Sequence, residues 1–265
     1  MDLELDGKTA LVTGGSSGIG KAIALGLASE GVDVAICGRT RETLDAAAKE
    51  IASATRRRIV PIVCDVAKQA DVERMTGEVL AAFKRIDILV NNAGKPGGLA
   101  TGPLEKVTDE AVLGDLNVKY MGYLRCARAV APSMKQHKWG RMIHIGGHSA
   151  RSSGTYSTGV RNIAVVHMSK ALADELGPYG ITSNVVHPGL TRTPFLDAMI
   201  EQRAKATGVS VSDMMTSMAK DNATRRIVDA SEIAHVVAFL ASLKSIAITG
   251  DVIAATGGAG RAVFT

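Results

Sequence analysis

Short apolar runs alternate with amphipathic, helix-length patterns from one end of the chain to the other. The first apolar run leads directly into a glycine-rich turn at residues 14–20, and a helical pattern follows that turn. Alternation of this kind predicts a parallel sheet with right-handed crossover helices. The further strands are predicted at 32–37, 59–63, 86–90, 141–145, 181–186 and 251–254. The further helices are predicted at 41–54, 72–83, 110–137, 159–176 and 232–241.

One region, residues 190–228, departs from the alternation. It lies between the sixth strand and the last long helix, contains Pro194 and Gly208, and carries four methionines. In a doubly wound sheet, ligands bind beyond the carboxyl ends of the strands, where this insertion begins. We therefore expect it to cover a ligand that has apolar surface, although its methionines would equally suit packing of a helical pair onto the core.

Composition limits the possible classes of protein. The chain has 265 residues, of which 46% are hydrophobic and only 3% aromatic, so we expect one α/β domain over 1–265 with an aliphatic core. The net charge of +5 is dispersed apart from residues 56–58, without interleaved aromatic residues, and this argues against nucleic-acid binding. A basic balance also suits an enzyme that binds an anionic cofactor.

The cysteines and the apolar runs bear on the compartment. Cys37, Cys64 and Cys126 are scattered and fit neither zinc spacing nor a disulfide framework, so we predict no metal and a reducing, cytoplasmic location. The acidic N-terminus does not resemble a secretory signal. No apolar run reaches the roughly 18 residues of a membrane span, so no membrane association is expected.

The glycine-rich turn has the spacing of a phosphate-binding site. Gly14 permits a tight turn, Gly18 lets the backbone approach a pyrophosphate, and Gly20 lets the helix pack closely on the strand. The N-terminus of the helix that follows offers free N–H groups to the phosphate. A glycine trio alone also occurs in ordinary surface turns, so the wider sequence must decide.

Five features occur in a fixed order along the chain. They are Thr13-Gly14-Gly15-Ser16-Ser17-Gly18-Ile19-Gly20, Asp65-Val66, Asn91-Asn92-Ala93-Gly94, Asn117 and Pro188-Gly189. From Leu5 to about Gly258 the chain therefore resembles the classical short-chain dehydrogenase/reductase family. The resemblance implies a single Rossmann-type domain with seven parallel strands in the order 3-2-1-4-5-6-7. It also implies an NAD(P)-dependent oxidoreductase that moves a hydride between the nicotinamide and a carbonyl or secondary-alcohol substrate.

The resemblance assigns cofactor roles to loops at the carboxyl ends of the strands. The turn residues would hold the pyrophosphate and adenosine ribose, Asp65 and Val66 would flank the adenine, and the segment after the fourth strand would line the ribose. The residues after the sixth strand would approach the nicotinamide. The implied cofactor-binding residues are Gly14, Ser16, Ser17, Gly18, Ile19, Gly20, Asp65, Val66, Asn92, Ala93, Gly94, Pro188, Gly189, Thr191 and Thr193.

The end of the second strand indicates which dinucleotide is bound. An NAD enzyme places an acidic residue there for the ribose 2′-hydroxyl, whereas this chain has Gly38 followed by Arg39, with Arg41 close behind. A small residue leaves room for a 2′-phosphate, and a guanidinium can bind it. We therefore favour NADP over NAD. Arg39 could alternatively shield the following helix, and many NADP-using members carry a basic residue where this chain has Ser17.

The chain departs from the family at its catalytic centre. In the family, a Tyr lies four residues before a Lys on the helix after the fifth strand, a Ser follows that strand, and a helix Asn orders a water behind the Lys. We match Lys170 to the Lys and Asn117 to the Asn; Val166 then stands at the Tyr position and Gly147 at the Ser position. The Lys would hold the nicotinamide ribose. This match makes the segment before Lys170 longer than is usual in the family.

Because a valine cannot exchange a proton, an enzyme would need another donor. We select Tyr156, since a phenol near a Lys170 ammonium would have a lowered pKa. Asn162, His148 and His167 are alternatives. A protein that binds a dinucleotide without turnover, as a sensor or partner subunit, is the competing hypothesis.

We also expect a homo-oligomer, a dimer or tetramer. Helices 110–137 and 159–176 carry apolar residues on more than one side, and such helices need a second surface to bury against. Members of the family usually pair through these two helices, and the tail after Gly258 would add a contact. The apolar residues concerned include Val118, Tyr120, Met121, Val165 and Met168.

Overall fold

The computed structural model describes residues 1–260 and contains a seven-stranded sheet. Every pairing between its strands is parallel. Most of the tail after Gly258, where an intersubunit contact was expected, lies outside the described residues. The strands are β1 (Thr9–Thr13), β2 (Asp33–Gly38), β3 (Ile59–Val63), β4 (Ile88–Asn91), β5 (Gly140–Ile145), β6 (Ile181–Pro188), β7 (Thr191–Arg192), β8 (Val228–Asp229) and β9 (Val252–Ala255).

The sheet confirms the predicted strand order. The order is β3-β2-β1-β4-β5-β6-β9, in which β9 is the seventh strand, while β7 and β8 form a separate two-stranded pair. Leu11 of β1 lies opposite Ala35 on one side and Leu89 on the other, which fixes the register at the centre. All carboxyl ends of the parallel strands therefore meet at one edge.

Helices cover both faces of this sheet. They are α1 (Gly18–Ser29), α2 (Arg41–Thr55), α3 (Gln69–Phe83), α4 (Asp109–Leu116), α5 (Gly122–His137), α6 (Thr158–Leu176), α7 (Pro194–Thr207), α8 (Val211–Ala219) and α9 (Ala230–Ala241). Among residues 1–260, no helix combines the length and apolar character needed to cross a membrane.

Successive residues of each strand point into different cores. On one face Val12 packs with Ile23 of α1 and Val237 of α9, and on the other Leu11 packs with Met75 of α3 and Val130 of α5. Full burial of an aliphatic side chain contributes about 1.5–3 kcal/mol, so both layers stabilise the sheet. Burial on both faces explains why the strands are continuous apolar runs.

The predicted helix 110–137 is not one uniform helix. It consists of α4, a π-helical turn at Asn117–Met121 and α5, which continues through Pro132. The i→i+5 pattern of a π turn adds a residue to the turn and rotates the side chains that follow. The direction of each side chain from Asn117 onward consequently differs from that of a regular helix.

The insertion at 190–228 forms α7 and α8, and the β7–β8 pair closes its base. Thr193 caps α7 by accepting a hydrogen bond from the amide of Leu196 at 3.3 Å, and Pro194 occupies the first turn. Ser210 caps α8 in the same way. The insertion therefore begins directly at the carboxyl end of β6, as its position in the sequence predicts.

Candidate functional site

The glycine-rich turn joins β1 to α1 at the carboxyl edge of the sheet. Gly14 and Gly18 have φ angles of +66° and +52°, a region that favours glycine. A Cβ at Gly20 would lie 2.1 Å from the carbonyl oxygen of Gly14, so only glycine allows this close approach. No side chain caps the N-terminus of α1 at Ser17, and its first amides are left for a ligand.

The turn after β4 is bound to the turn after β1. Thr13 Oγ1 accepts hydrogen bonds from the amides of Asn92 and Ala93 at 2.9 and 3.1 Å. The Asn92 side-chain amide donates to the carbonyl oxygens of Thr13 and Gly14 at 3.1 and 3.2 Å. These bonds hold the two loops rigidly side by side.

The residues predicted near the adenosine lie beside this turn. A Cβ at Gly38 would be 3.5 Å from Ser16 Oγ, and the adjacent Arg39 is exposed. Asp65 Oδ1 accepts from the amide of Ala67 at 3.0 Å, which shapes the loop after β3. The carbonyl oxygen of Val66 accepts from Arg125 at 3.3 Å.

The segment after β6 lies across from the glycine-rich turn and forms the other wall of the candidate site. Gly189 donates its amide to Ala255 of β9 at 3.1 Å, and Thr191 Oγ1 donates to the Gly189 carbonyl at 2.9 Å. Thr193 Cγ2 would be 3.4 Å from a Cβ at Gly18, so the two walls meet across a narrow gap. The predicted cofactor-binding loops thus lie together at this edge of the sheet, and the glycine cradle fits a dinucleotide pyrophosphate. Among the residues predicted to bind the cofactor, Lys170 does not lie there.

Lys170 does not lie at this edge, which corrects its assignment. Its ammonium binds Asp174 at 2.7 Å on the surface of α6, with 60% of the side chain exposed. It also lies next to Gly250, whose amide binds Ser183 near the start of β6, at the opposite edge of the sheet. Because α6 runs antiparallel to the strands, residues late in this helix are carried away from the site.

Another pair of residues four apart, Thr158 and Asn162, lies about two turns before Val166 and Lys170 in α6, at the end of the helix nearest the site. Asn162 Nδ2 would be 2.7 Å from a Cβ at Gly147, directly after β5, and it donates to Ser149 Oγ at 2.9 Å. Thr158 Oγ1 shares a 2.7 Å hydrogen bond with Thr155. Asn162, and not Lys170, therefore lies opposite Gly147, and Thr158 one turn earlier lies beside Gly98.

Asn117 also takes another position than expected. Its Oδ1 and its carbonyl oxygen accept hydrogen bonds from Arg125 at 2.8 and 3.1 Å. Two residues later, Lys119 points inward, and its ammonium donates to the carbonyl oxygen of Gly146 at 2.8 Å. The π-helical turn thus presents Lys119 to the strand ends in place of Asn117.

A buried ion pair lies beside Lys119. Arg161 Nη1 binds Asp115 Oδ1 at 2.8 Å, and Asp115 Oδ2 accepts from the Leu99 amide at 2.8 Å and from the Ser157 hydroxyl. Arg161 also donates to the Lys95 carbonyl at 2.9 Å. Burial lowers the pKa of Lys119 to about 7, with the Arg161 guanidinium acting in the same direction and Asp115 partly opposing them.

The histidines of the strand ends are held neutral. Burial lowers the pKa of His187 to about 4, with Arg151 and Lys119 acting in the same direction. Its Nδ1 accepts the amide of Gly147 at 3.0 Å. Burial likewise lowers the pKa of His144 to about 3, and its ring bonds Asn91 and Ser183 within the sheet.

The other proposed proton donors lie in different surroundings. Tyr156 precedes α6 and is 50% exposed, so its role stays a prediction. His148 begins the short turn after β5, near Gly260. His167 is on the exposed side of α6, and Val166 packs against a small apolar cluster around Tyr123.

Sequence reasoning missed Lys119, the ion pair of Asp115 with Arg161, and the correct frame of α6. One signal was available for the frame: the match to Lys170 required an unusually long segment after β5. If the family's Lys is matched to Asn162 instead of Lys170, two turns nearer the start of α6, the segment after β5 is no longer too long. No sequence signal marked the π-helical turn that turns Lys119 inward.

Comparison with known proteins identifies the family. The chain matches the family described as enoyl-(acyl carrier protein) reductase over residues 14–260. The chain belongs to the short-chain dehydrogenase/reductase family. A dehydrogenase subunit of Thauera aromatica, named for (2S)-[(R)-hydroxy(phenyl)methyl]succinyl-CoA, is 34% identical over 261 residues, 98% of each chain. A putative ketoacyl reductase of Streptomyces coelicolor is 32% identical and covers 97% of this chain and 98% of its own length.

Solved structures of reductases have the same fold as this chain. L-Sorbose reductase from Gluconobacter frateurii, complexed with NADPH and L-sorbose, superposes with a TM-score of 0.92 at 30% identity, covering 97% of this chain and 98% of that one. The family is one of NAD(P)-dependent oxidoreductases, and these relatives support an enzyme with NAD(P)-dependent reductase activity. Among residues 1–260, no group of three or more His, Cys, Asp or Glu side chains is arranged to hold a metal ion.

Proposed function

We propose that this chain is an NADPH-dependent reductase that transfers a hydride between the nicotinamide and a carbonyl or secondary-alcohol carbon. The observation that carries the proposal is the complete pyrophosphate turn, in which Gly20 packs on Gly14 and Asn92 ties the neighbouring loop to it. When bound, NADPH supplies the hydride. The chain's loops would hold the dinucleotide and exclude water from its nicotinamide end.

The preference for NADPH rests on the end of β2. Gly38 leaves space beside Ser16, and Arg39 is exposed next to it. Arg41, in contrast, binds Asp45 at 3.5 Å and the Pro61 carbonyl at 3.3 Å. L-Sorbose reductase and an actinorhodin polyketide ketoreductase are both described with NADPH, which supports the same choice, although a xylitol dehydrogenase of similar fold is described with NAD+.

The substrate side of the proposal rests on the insertion at 190–228. Phe195 follows Thr193 at the start of α7 and is 58% exposed, and Met199 lies one turn later, half-buried. An apolar, adaptable surface beside the nicotinamide end would suit a small-molecule substrate with hydrophobic surface. The three cysteines are free and buried, in keeping with a reducing, cytoplasmic compartment.

The direct test measures NADPH binding by fluorescence and then NADPH oxidation in the presence of carbonyl compounds. L-Sorbose and a 3-oxoacyl thioester represent the substrate classes for which the relatives are named. We expect micromolar NADPH binding and substrate-dependent oxidation with at least one carbonyl. Binding without oxidation across the panel would contradict the reductase proposal.

Arg39→Ala tests the choice of dinucleotide. Loss of a charge-assisted bond to the 2′-phosphate costs about 1.5–3 kcal/mol, so NADPH affinity should fall roughly tenfold or more, with NADH affinity nearly unchanged. Arg41→Ala is the matched control, because its guanidinium is already engaged, and it should have a smaller effect. Equal affinities of the unaltered protein for NADPH and NADH would contradict the assignment.

A second candidate is a dinucleotide-binding partner subunit or sensor without turnover. It is favoured by Gly147, Thr158 and Asn162, which stand where the family carries its Ser, Tyr and Lys. One relative is itself described as a dehydrogenase subunit. This candidate predicts NADPH binding with no oxidation by the isolated chain.

A further inference from the structure

Lys119 forms part of the inner wall of the candidate site. Its ammonium donates to the Gly146 carbonyl at 2.8 Å, and only 7% of the residue is exposed. Its Cδ would lie 3.7 Å from a Cβ at Gly94, so the side chain passes between the loops after β4 and β5. Lys119 therefore brings a cation to the carboxyl ends of β4 and β5, between the loops that follow these strands.

The charges around Lys119 leave its ammonium poorly compensated. Asp115, on α4, is already bound by Arg161 of α6, the Leu99 amide and the Ser157 hydroxyl. The remaining facing group is His187 of β6, which Arg151 and His148 also approach. The pKa of Lys119 is lowered to about 7, chiefly by burial, so the residue exchanges a proton near neutral pH.

The neighbouring polar groups are unsuited to donating a proton at neutral pH. The His187 ring nitrogen already accepts the Gly147 amide, and its pKa is about 4. A threonine hydroxyl and an asparagine amide, at Thr158 and Asn162, do not ionise in this range. Asn162 Oδ1, buried in a residue only 2% exposed, lacks a hydrogen-bond partner among the residues of the described chain. It is an open acceptor beside Gly147.

We propose that Lys119 is the proton donor of this reductase, an assignment that rests on the proposed function. As the hydride from NADPH reaches the carbonyl carbon, the carbonyl oxygen takes a proton from the Lys119 ammonium. The N–H bond breaks, an O–H bond forms, and the products are the alcohol, NADP+ and a neutral amine. The amine then regains a proton from solvent water, and Asn162 Oδ1 accepts the new hydroxyl.

This arrangement exchanges two side chains between neighbouring helices. The family has an amide on the long helix and an ammonium on the helix after the fifth strand, whereas this chain has Lys119 on the former and Asn162 on the latter. Both residues contact the Gly146-Gly147 segment. The site thus keeps one ammonium and one amide, with their positions reversed.

The test compares Lys119→Met and Lys119→Arg with Tyr156→Phe and with the control Lys135→Met, whose side chain on α5 is 34% exposed and binds Glu175. NADPH oxidation with the carbonyl panel is measured from pH 6 to 9. We expect turnover of the unaltered protein to fall above pH about 7, and both Lys119 variants to lose roughly 100-fold in kcat with NADPH affinity within twofold. Lys135→Met should retain turnover. Loss of turnover in Tyr156→Phe together with full turnover in Lys119→Met would overturn the proposal and assign the proton to Tyr156.

A second readout requires no turnover. In protein labelled with carbon-13 at the lysine ε-carbon, one NMR resonance should titrate near pH 7, vanish in Lys119→Met and persist in Lys135→Met. A Lys119 resonance titrating near the usual value of about 10.4 would overturn the proposal, as would full turnover in Lys119→Met. Carbonyl reduction by both the unaltered protein and Lys119→Met rejects the Lys119 assignment alone; no reduction by the unaltered protein rejects the reductase function as well.

Discussion

At the scale of single residues, buried titratable groups couple the stability of this protein to pH. Lys119, His144 and His187 all have pKa values below those of the unfolded chain, because burial penalises their charged forms. The unfolded state therefore binds more protons than the folded state, at pH about 3–6.5 for the histidines and at pH about 7–10 for the lysine. In both windows the free energy of unfolding rises with pH.

Lys119→Met should remove the rise in the free energy of unfolding that occurs above pH 7. With a pKa of about 7 in the folded state, Lys119 contributes an increase on the order of 2 kcal/mol in the free energy of unfolding between pH 7 and 9. Urea unfolding at both pH values, at one protein concentration, measures it. Lys135→Met should keep the increase seen in the unaltered protein, and an unchanged increase in Lys119→Met would show that the lysine is not held in a lowered-pKa state.

At the scale of elements, the offset of α6 against the end of β5 decides which side chains reach the site. The helix begins at Thr158, which lies beside Gly98, and Asn162 one turn later faces Gly147. Val166 packs with Tyr123 and Val165, deeper against the sheet. A phenol restored at 166 would consequently lie away from the strand ends.

The pair Thr158→Tyr and Asn162→Lys should restore the family's Tyr and Lys where they can act. Introduced into Lys119→Met, this pair should raise carbonyl turnover at least tenfold, because the new ammonium lowers the pKa of the new phenol. Thr158→Phe with Asn162→Lys is the control without a hydroxyl, and circular dichroism verifies folding. Recovery by Val166→Tyr instead would mean that residue 166, rather than residue 158, faces the reacting oxygen.

At the scale of the whole molecule, the outer side of α4 and α6 is an unpaired apolar surface. Leu113, Val160 and Ile163 are more than half exposed. Beside them a cleft of about 620 Å³ is lined by Leu113, Gly114, Leu116, Asn117, Tyr120, Met121 and Ala164. Val165 and Met168, expected on this surface, are instead buried in the core. We propose that this surface is an interface of a homo-oligomer, a dimer or tetramer.

Ile163→Asp should weaken such an assembly, since it places a charge in the centre of the apolar surface. Light scattering at micromolar concentration should give an oligomer for the unaltered protein and a smaller species for this variant. Ile246→Asp is the matched control, because Ile246 is 53% exposed against 55% for Ile163 but lies elsewhere. A monomeric unaltered protein would refute the proposal.

The sequence by itself determined the alternation of strands and helices, the sheet order through the family resemblance, and the phosphate turn. These features depend on local patterns, namely apolar runs and the glycines whose backbone angles or close contacts exclude other residues. Only the tertiary structure decided which side chains meet at the strand ends. The face of a helix that reaches a site depends on its offset against the sheet and on its winding. Because of the position of α6, Asn162 lies at the strand ends where Lys170 was expected. Because of the π-helical turn, Lys119 lies there where Asn117 was expected.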